Sequence, residues 1–443
     1  METNIRLTNV AVLGAAGKMG SGIMLLTTMQ LIDMKLSNQG QAFEPVIQAI
    51  DPNLDTLRGL RQYLETQILK AAEKKCVWLR EVYKTEPSLV DNSDFINRYV
   101  ADALAIVNFT QRLESAYDSY LVFEAASENP DLKVKLFTQI DQNSQREPWF
   151  FTNTSSIPIG YLDERSNLGG RLVGFHFYNP PAIQKLLELI PAKNTLPELA
   201  KFAEQWAKAL KKTVVISNDI AGFIGNGHFM RDLLYAISQM QKATRDFSIP
   251  ASIYMMDKIS REYLVRPMGI FQLMDYVGID VCQYILSVMD KFIPGKNLHS
   301  DFIDSLIAMG VKGGQYPDGS QKDGIFKYTK GRIVAIWDPE SRQYANVDEV
   351  IPVVDAWLGK MPEEIQPWKN VMKMENRADY LKKHFELLRQ SKETGAVMAI
   401  DYNTYSGKVG QGLVDDGVAA TTNDVNVVLT TGFFHSYGPV HTF

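Results

Sequence analysis

Residues 9–22 read Asn-Val-Ala-Val-Leu-Gly-Ala-Ala-Gly-Lys-Met-Gly-Ser-Gly, and they decide the fold. Val10–Leu13 is a short apolar run suited to a buried strand. A glycine-rich turn follows, then an apolar helical segment from about Lys18 to Leu31. Strand, glycine turn and helix in that order can cradle a dinucleotide pyrophosphate. The glycines let the backbone approach the phosphates, and the helix N-terminus offers amide donors. The spacing is Gly14-x-x-Gly17-x-x-Gly20, so the turn is one residue longer than Gly-x-Gly-x-x-Gly, or Ala15 stands in for a glycine. Gly14, Ala16, Gly17, Lys18, Met19 and Gly20 are the candidate cofactor contacts. A tight strand-to-helix turn that binds nothing would use the same glycines, and the flanking strand and helix favour binding.

Outward from that turn, a second strand at Pro45–Ile50 ends in Asp51. An acid there suits the adenosine ribose hydroxyls and repels a 2′-phosphate, which favours NAD over NADP. Asp51 could equally cap a helix starting near Pro52. The interval between glycines and acid is lengthened by a polar, insertion-like segment, Leu36–Phe43. Leu54–Lys75 has helical spacing with a partly basic face, where Lys70, Lys74 and Lys75 could meet an anionic substrate tail or simply be solvated. Residues 76–102 are polar and read as an irregular helical excursion without an assigned role. Strands are expected at Ala105–Phe109, Ser119–Glu124 and Trp149–Thr152, with an amphipathic helix at Asp131–Ile140. The third strand delivers Asn153-Thr154-Ser155-Ser156, a hydroxyl-rich loop at the sheet edge where ligands sit in open α/β sheets.

Leu172–Phe177 and Leu186–Ile190 are two apolar runs joined through the Asn179-Pro180-Pro181 turn. The first carries His176, one of six histidines, and the second carries Glu188 as its single charge. A carboxylate inside such a run needs a partner, and folding back at the turn can supply His176. A histidine held by a buried carboxylate has a fixed tautomer and can act as a general base; a core histidine satisfied by Glu188 and doing nothing would look the same. A helix at Leu196–Lys211 and a last strand at Thr213–Ser217 complete a doubly wound, mostly parallel sheet. Beyond Asn218 the pattern becomes helical: about 221–245, 250–262 and 270–292, then turns, short strands at Gly324–Tyr328 and Arg332–Trp337, and helices again from Val347. A weak echo between 249–273 and 422–443 suggests a duplicated helical domain.

Several segments together resemble the L-3-hydroxyacyl-CoA dehydrogenase family. They are Val-Phe-Glu-Ala-Ala-Ser-Glu-Asn (122–129), Asn-Thr-Ser-Ser (153–156), Gly-Phe-His-Phe-Tyr-Asn-Pro (174–180), Leu-Glu-Leu-Ile (187–190), Gly-Phe-Ile-Gly-Asn (222–226) and the stretch from Arg266 to Asp280. The resemblance spans roughly 9–330. It implies an α/β Rossmann-type doubly wound sheet followed by an all-α C-terminal domain, here duplicated. The expected division is an NAD-binding domain at 1–217, a helical domain at 218–335 and a second, degenerate helical domain at 336–443. It implies His176 as the catalytic base, Glu188 as its carboxylate partner, and Ser155 and Asn226 on the substrate oxygen. Asn179 becomes an active-site asparagine, Asp51 the ribose acid, and Glu128, Lys133 and Asn153 neighbours of NAD. Read alone, Glu128 could cap the next helix, Lys133 could be plain surface, Asn226 could tie helices together, and Ser156 rivals Ser155. In the CoA-contacting helix Lys74 matches the family's lysine, while Gln67 stands where the family has serine. A dehydrogenase of a hydroxy acid not carried on CoA, or a non-catalytic NAD-binding protein of this fold, are the alternatives.

A net charge of −5 with no basic stripe gives no sign of a nucleic-acid partner. No apolar run approaches the roughly 20 residues that span a bilayer, so no membrane is expected. Two distant cysteines, Cys76 and Cys282, form no metal-ligand spacing and point to a reducing, cytoplasmic setting. An acyl-CoA substrate is expected, with the chain either a monomer that satisfies the family's pairing surface internally or a homodimer.

Overall fold

A computed structural model describes residues 5–37, 43–316, 319–362 and 365–443. Most of the Leu36–Phe43 insertion, and Asp318 in the later turn region, lie outside the described residues. The chain divides between Asp219 and Ile220 into two compact units.

The first unit runs β1 (Asn9–Leu13), α1 (Lys18–Ser37), β2 (Val46–Ile50), α2 (Leu54–Glu73), α3 (Cys76–Val82), α4 (Asn92–Ala105), β3 (Val107–Thr110), β4 (Leu121–Glu124), α5 (Pro130–Asn143), β5 (Trp149–Thr152), α6 (Ile159–Ser166), β6 (Leu172–Phe177), β7 (Leu186–Ile190), α7 (Pro197–Ala209) and β8 (Thr213–Ile216). Among the described residues these strands form one eight-stranded sheet, ordered β3-β2-β1-β4-β5-β6-β7-β8. Every pair is parallel except β6 with β7. The order reverses between β1 and β4, which places the glycine turn at the crevice where the chain winds both ways. Helices cover both faces, so β4, β5, β6 and β7 are buried at every position and read as continuous apolar runs. Residues 76–102, expected as an irregular helical excursion, are helical, forming α3 and most of α4. A reciprocal capping box between Asp91 and Asp94 fixes where α4 starts.

The second unit opens with α8 (Gly225–Ala243), α9 (Ile249–Lys258), α10 (Ile270–Val277), α11 (Ile279–Phe292) and α12 (Asp301–Ala308). The expected single helix at 270–292 is broken by Gly278, whose φ of 111° a side-chain-bearing residue rarely adopts. The unit is helical but not all-α. β9 (Phe326–Thr329), β10 (Arg332–Asp338) and β11 (Gln343–Asn346) make an antiparallel three-stranded sheet ordered β11-β10-β9. The third strand is short and polar, so its sequence carries no hydrophobic alternation. Then follow α13 (Val347–Leu358), α14 (Arg377–Gln390), α15 (Thr394–Asp415) and α16 (Thr422–Gly432), with a single helical turn at Trp368–Val371. Segments 218–335 and 336–443 contribute to this one unit rather than to two.

A buried polar cluster joins the two segments. Arg266 Nη1 donates to Asp232 Oδ2 on α8 at 2.6 Å, and its Nη2 donates to Ser406 Oγ on α15 at 3.1 Å. Tyr402 Oη donates to the same Asp232 oxygen at 3.2 Å, and Ser436 Oγ donates to the Val265 carbonyl at 2.7 Å. His228, buried, lies 3.2 Å from the Ser406 carbonyl, and burial pushes its pKa down. No helix among the described residues is long and apolar enough to cross a membrane.

Candidate active site

The antiparallel turn from β6 to β7 sets His176 directly opposite Glu188 in the strand register. His176 Nδ1 lies 3.1 Å from Glu188 Oε2. Glu188 is wholly buried and His176 is 7% exposed, so the imidazole is nearly enclosed while still reaching the surface. In the tautomer whose Nδ1–H donates to Glu188, Nε2 is the nitrogen that can accept a proton. A third group joins them. Tyr178 Oη donates to the same Glu188 oxygen at 2.7 Å. Burial first, then the Glu188 charge, holds the tyrosine hydroxyl well above its ordinary pKa.

The loop after β5 is fixed from both sides. Asn153 Oδ1 accepts the Phe177 amide at 2.8 Å, tying the hydroxyl-rich loop to the strand that carries His176. Glu128 Oε1 accepts the Thr154 hydroxyl at 2.5 Å and the Ser155 amide at 3.0 Å. Ser156 and Thr154 are buried, whereas Ser155 is half-buried and keeps access to solvent. Lys133 is not surface: it is 1% exposed and donates to Glu124 at 2.7 and 2.9 Å, with Glu128 Oε2 at 3.2 Å. Burial opposes the Lys133 charge, but Glu124 and Glu128 outweigh it and its pKa rises. Burial likewise opposes ionisation of Glu128, yet the ammonium and the Thr154 and Ser155 donors hold it below the usual carboxylate range. Asn129, not Glu128, caps α5, accepting the Leu132 amide at 3.0 Å.

The glycine turn fits a dinucleotide. Gly14 has φ of 70°, and a Cβ there would lie 2.6 Å from the Ala125 carbonyl oxygen beyond β4. A Cβ on Gly20 would lie 2.0 Å from the Gly14 carbonyl oxygen, so only glycine lets α1 start this close to the turn. Ala16, Gly17, Lys18 and Met19 span the turn between them, with no acid in the first turn of α1 to repel a phosphate. Asp51 stands at the carboxyl end of β2, where it accepts the Ala16 amide at 3.3 Å. It also accepts the Asn53 amide at 3.1 Å, although Asn53 is the residue that caps α2.

Residues 9–220 match the 3-hydroxyacyl-CoA dehydrogenase NAD binding domain, and 222–322 match the C-terminal domain of the same family. The chain belongs to the 3-hydroxyacyl-CoA dehydrogenase family. A probable 3-hydroxybutyryl-CoA dehydrogenase of Deinococcus radiodurans is 29% identical over 69% of this chain and 97% of its own length. The human mitochondrial hydroxyacyl-coenzyme A dehydrogenase is 28% identical over 62% of this chain and 82% of its own. In fold, the chain is similar to the 3-hydroxybutyryl-CoA dehydrogenase of Escherichia coli, with a TM-score of 0.64 at 18% identity, covering 98% of this chain and 90% of that one.

The residues expected to contact the cofactor, from Gly14 to Asn179, all fall within the span that matches the NAD binding domain. Asn179 follows β6, half-buried, with a cis bond to Pro180. Pro181 packs on α1, since a Cβ at Gly22 would fall 2.8 Å from its ring. Of the three lysines on the basic face, Lys75 is paired with Asp33 and Tyr99, while Lys70 and Lys74 are exposed. Gln67, on the same helix, is half-buried. Asn226 belongs to the second unit, in the first turn of α8. Two groups bonded to the candidate site residues escaped the sequence reading. Tyr178 was quoted as part of a motif, but nothing in its spacing says that its hydroxyl reaches Glu188. Glu124 was read as the end of a strand; its position in an otherwise apolar run was the available signal.

Proposed function

We propose that this chain oxidises L-3-hydroxyacyl-CoA to 3-ketoacyl-CoA with NAD, using His176 as the base. One observation carries the reading: His176 and Glu188 meet at 3.1 Å, nearly enclosed, at the sheet edge that also bears the glycine turn. NAD, when bound, supplies the hydride acceptor. Glu188 orients the imidazole through Nδ1, and Nε2 is assigned to the substrate hydroxyl. His176 Nε2 would take the hydroxyl proton, which would let the carbon-bound hydrogen depart with its electron pair to the acceptor that NAD would supply, leaving the ketone. Ser155 is assigned to the developing oxyanion, where donors matter most. Glu128, itself held by Lys133, fixes the Ser155 loop, and Asp51 would serve the NAD ribose and Lys74 the CoA phosphates.

NADH consumption with acetoacetyl-CoA tests this. The His176→Gln variant is expected to lose turnover by about 100-fold or more while still binding NADH. Near-native turnover in that variant would remove the mechanism. Gln67 favours a second reading, a hydroxy acid without CoA; turnover of free acetoacetate but not of acetoacetyl-CoA would support it. Residues 336–443 are built into the second unit together with the family's C-terminal domain, and the chain is read as a monomer. Light scattering should then give a mass near 49.9 kDa, and twice that value would refute the monomer.

A further inference from the structure

We propose that Tyr178 is a positioning residue that sets the basicity of His176 through Glu188. The inference rests on the reading of His176 as the base. The tyrosine hydroxyl and His176 Nδ1 share a single carboxylate oxygen, Glu188 Oε2, at 2.7 and 3.1 Å. The rings of His176 and Tyr178 also touch, with centroids 4.8 Å apart and planes tilted by 39°. A hydroxyl donated to a carboxylate is a charge-assisted bond, and it draws electron density away from the oxygen that the imidazole relies on. Glu188 therefore stabilises the imidazolium less than an undivided carboxylate would. His176 is correspondingly easier to keep neutral, as a proton acceptor must be.

The tyrosine is a constant donor, because burial and the Glu188 charge keep its proton on throughout the neutral range. Other ionisable groups on the elements around β6 and β7 are held elsewhere. Asp219 accepts the Ile159 and Gly160 amides at the start of α6, and Asp163 accepts the Gly170 amide. Lys212, whose nitrogen is 5.6 Å from the Phe177 ring, donates to the carbonyls of Pro181 and Gln184. Glu198, Lys201 and Lys208 of α7 are exposed, and β5 and β8 carry no charged side chain. Removing the tyrosine hydroxyl disturbs none of these pairings.

The Tyr178→Phe variant keeps the ring contact and deletes only the donor. In the oxidative direction, the acid limb of kcat/KM should move up by about one pH unit, the scale of one charge-assisted bond. An acid limb that stays put or moves down overturns the proposal. Carbon-13 histidine NMR reads the same quantity without turnover, and the His176 signal is the one missing from His176→Gln. In a Glu188→Gln background the Tyr178→Phe shift should vanish; if it persists, the hydroxyl does not act through Glu188. Full activity of His176→Gln would sink the base assignment while leaving the NMR shift readable, so the two failures are separable.

Discussion

At the scale of single residues, two positions are constrained by their surroundings more than by their own chemistry. Gly20 faces the Gly14 carbonyl at a separation that leaves no room for a methyl group. Gly20→Ala should therefore push α1 off the turn and weaken NADH binding at least tenfold in a fluorescence titration; native affinity would show that the turn yields instead. Lys133 is the one cation within reach of both Glu124 and Glu128 among the described residues. Replacing it with methionine strands a wholly buried carboxylate, which typically costs about 3–5 kcal/mol. The melting temperature should fall by on the order of 10 °C, and a change under about 2 °C would mean that water or protonation rescues Glu124.

At the scale of elements, the turn between β6 and β7 brings acid and base into register. A one-residue slip of β7 would turn Glu188 to the opposite face of the sheet. Gly174 guards the pairing, since a Cβ there would come within 2.8 Å of Ile190 Cβ and 2.9 Å of Ile159 Cδ1. In the second unit, Asp257 on α9 accepts the Phe271 and Gln272 amides at 3.0 and 2.9 Å and so caps α10 from a distance. Burial pushes its carboxyl up to about 6. A folded-state pKa raised above the unfolded value means stability that is full below about pH 4 and lost as pH rises through about 6. Asp257→Asn does not titrate at that position. Its stability relative to the native chain should rise between pH 4 and 7 by an amount on the order of 3 kcal/mol. Urea denaturation at the two ends of that range measures it, and a pH-independent difference would show that the acid is not strained.

At the scale of the whole molecule, the second unit draws on both the family's C-terminal domain and the segment beyond it. The family match ends at residue 322, yet Arg266 within it depends on Tyr402 and Ser406 from outside. A chain truncated after residue 335 would expose the Arg266–Asp232 pair and the apolar sides of α8 and α9. It should lose the cooperative unfolding transition of the second unit, while the first unit retains NADH binding. A truncated chain that still melts cooperatively in two steps would mean that 336–443 is an independent addition.

The dinucleotide cradle, the switch from α/β to helical pattern near residue 218 and the mutual need of His176 and Glu188 were all determined by sequence. Each rests on local rules: the period of apolar residues, the backbone freedom of glycine, and the cost of a charge in an apolar run. Tertiary structure alone decided the rest. Lys133 is buried although helical spacing allows it to be surface, because Glu124 and Glu128 arrive from elsewhere to meet it. The strand β11 exists because β10 pairs with it, its own residues giving no apolar pattern. Tyr178 joins the His–Glu pair because the strands lie antiparallel in one particular register, and register is set by packing across the sheet, beyond what any single segment encodes.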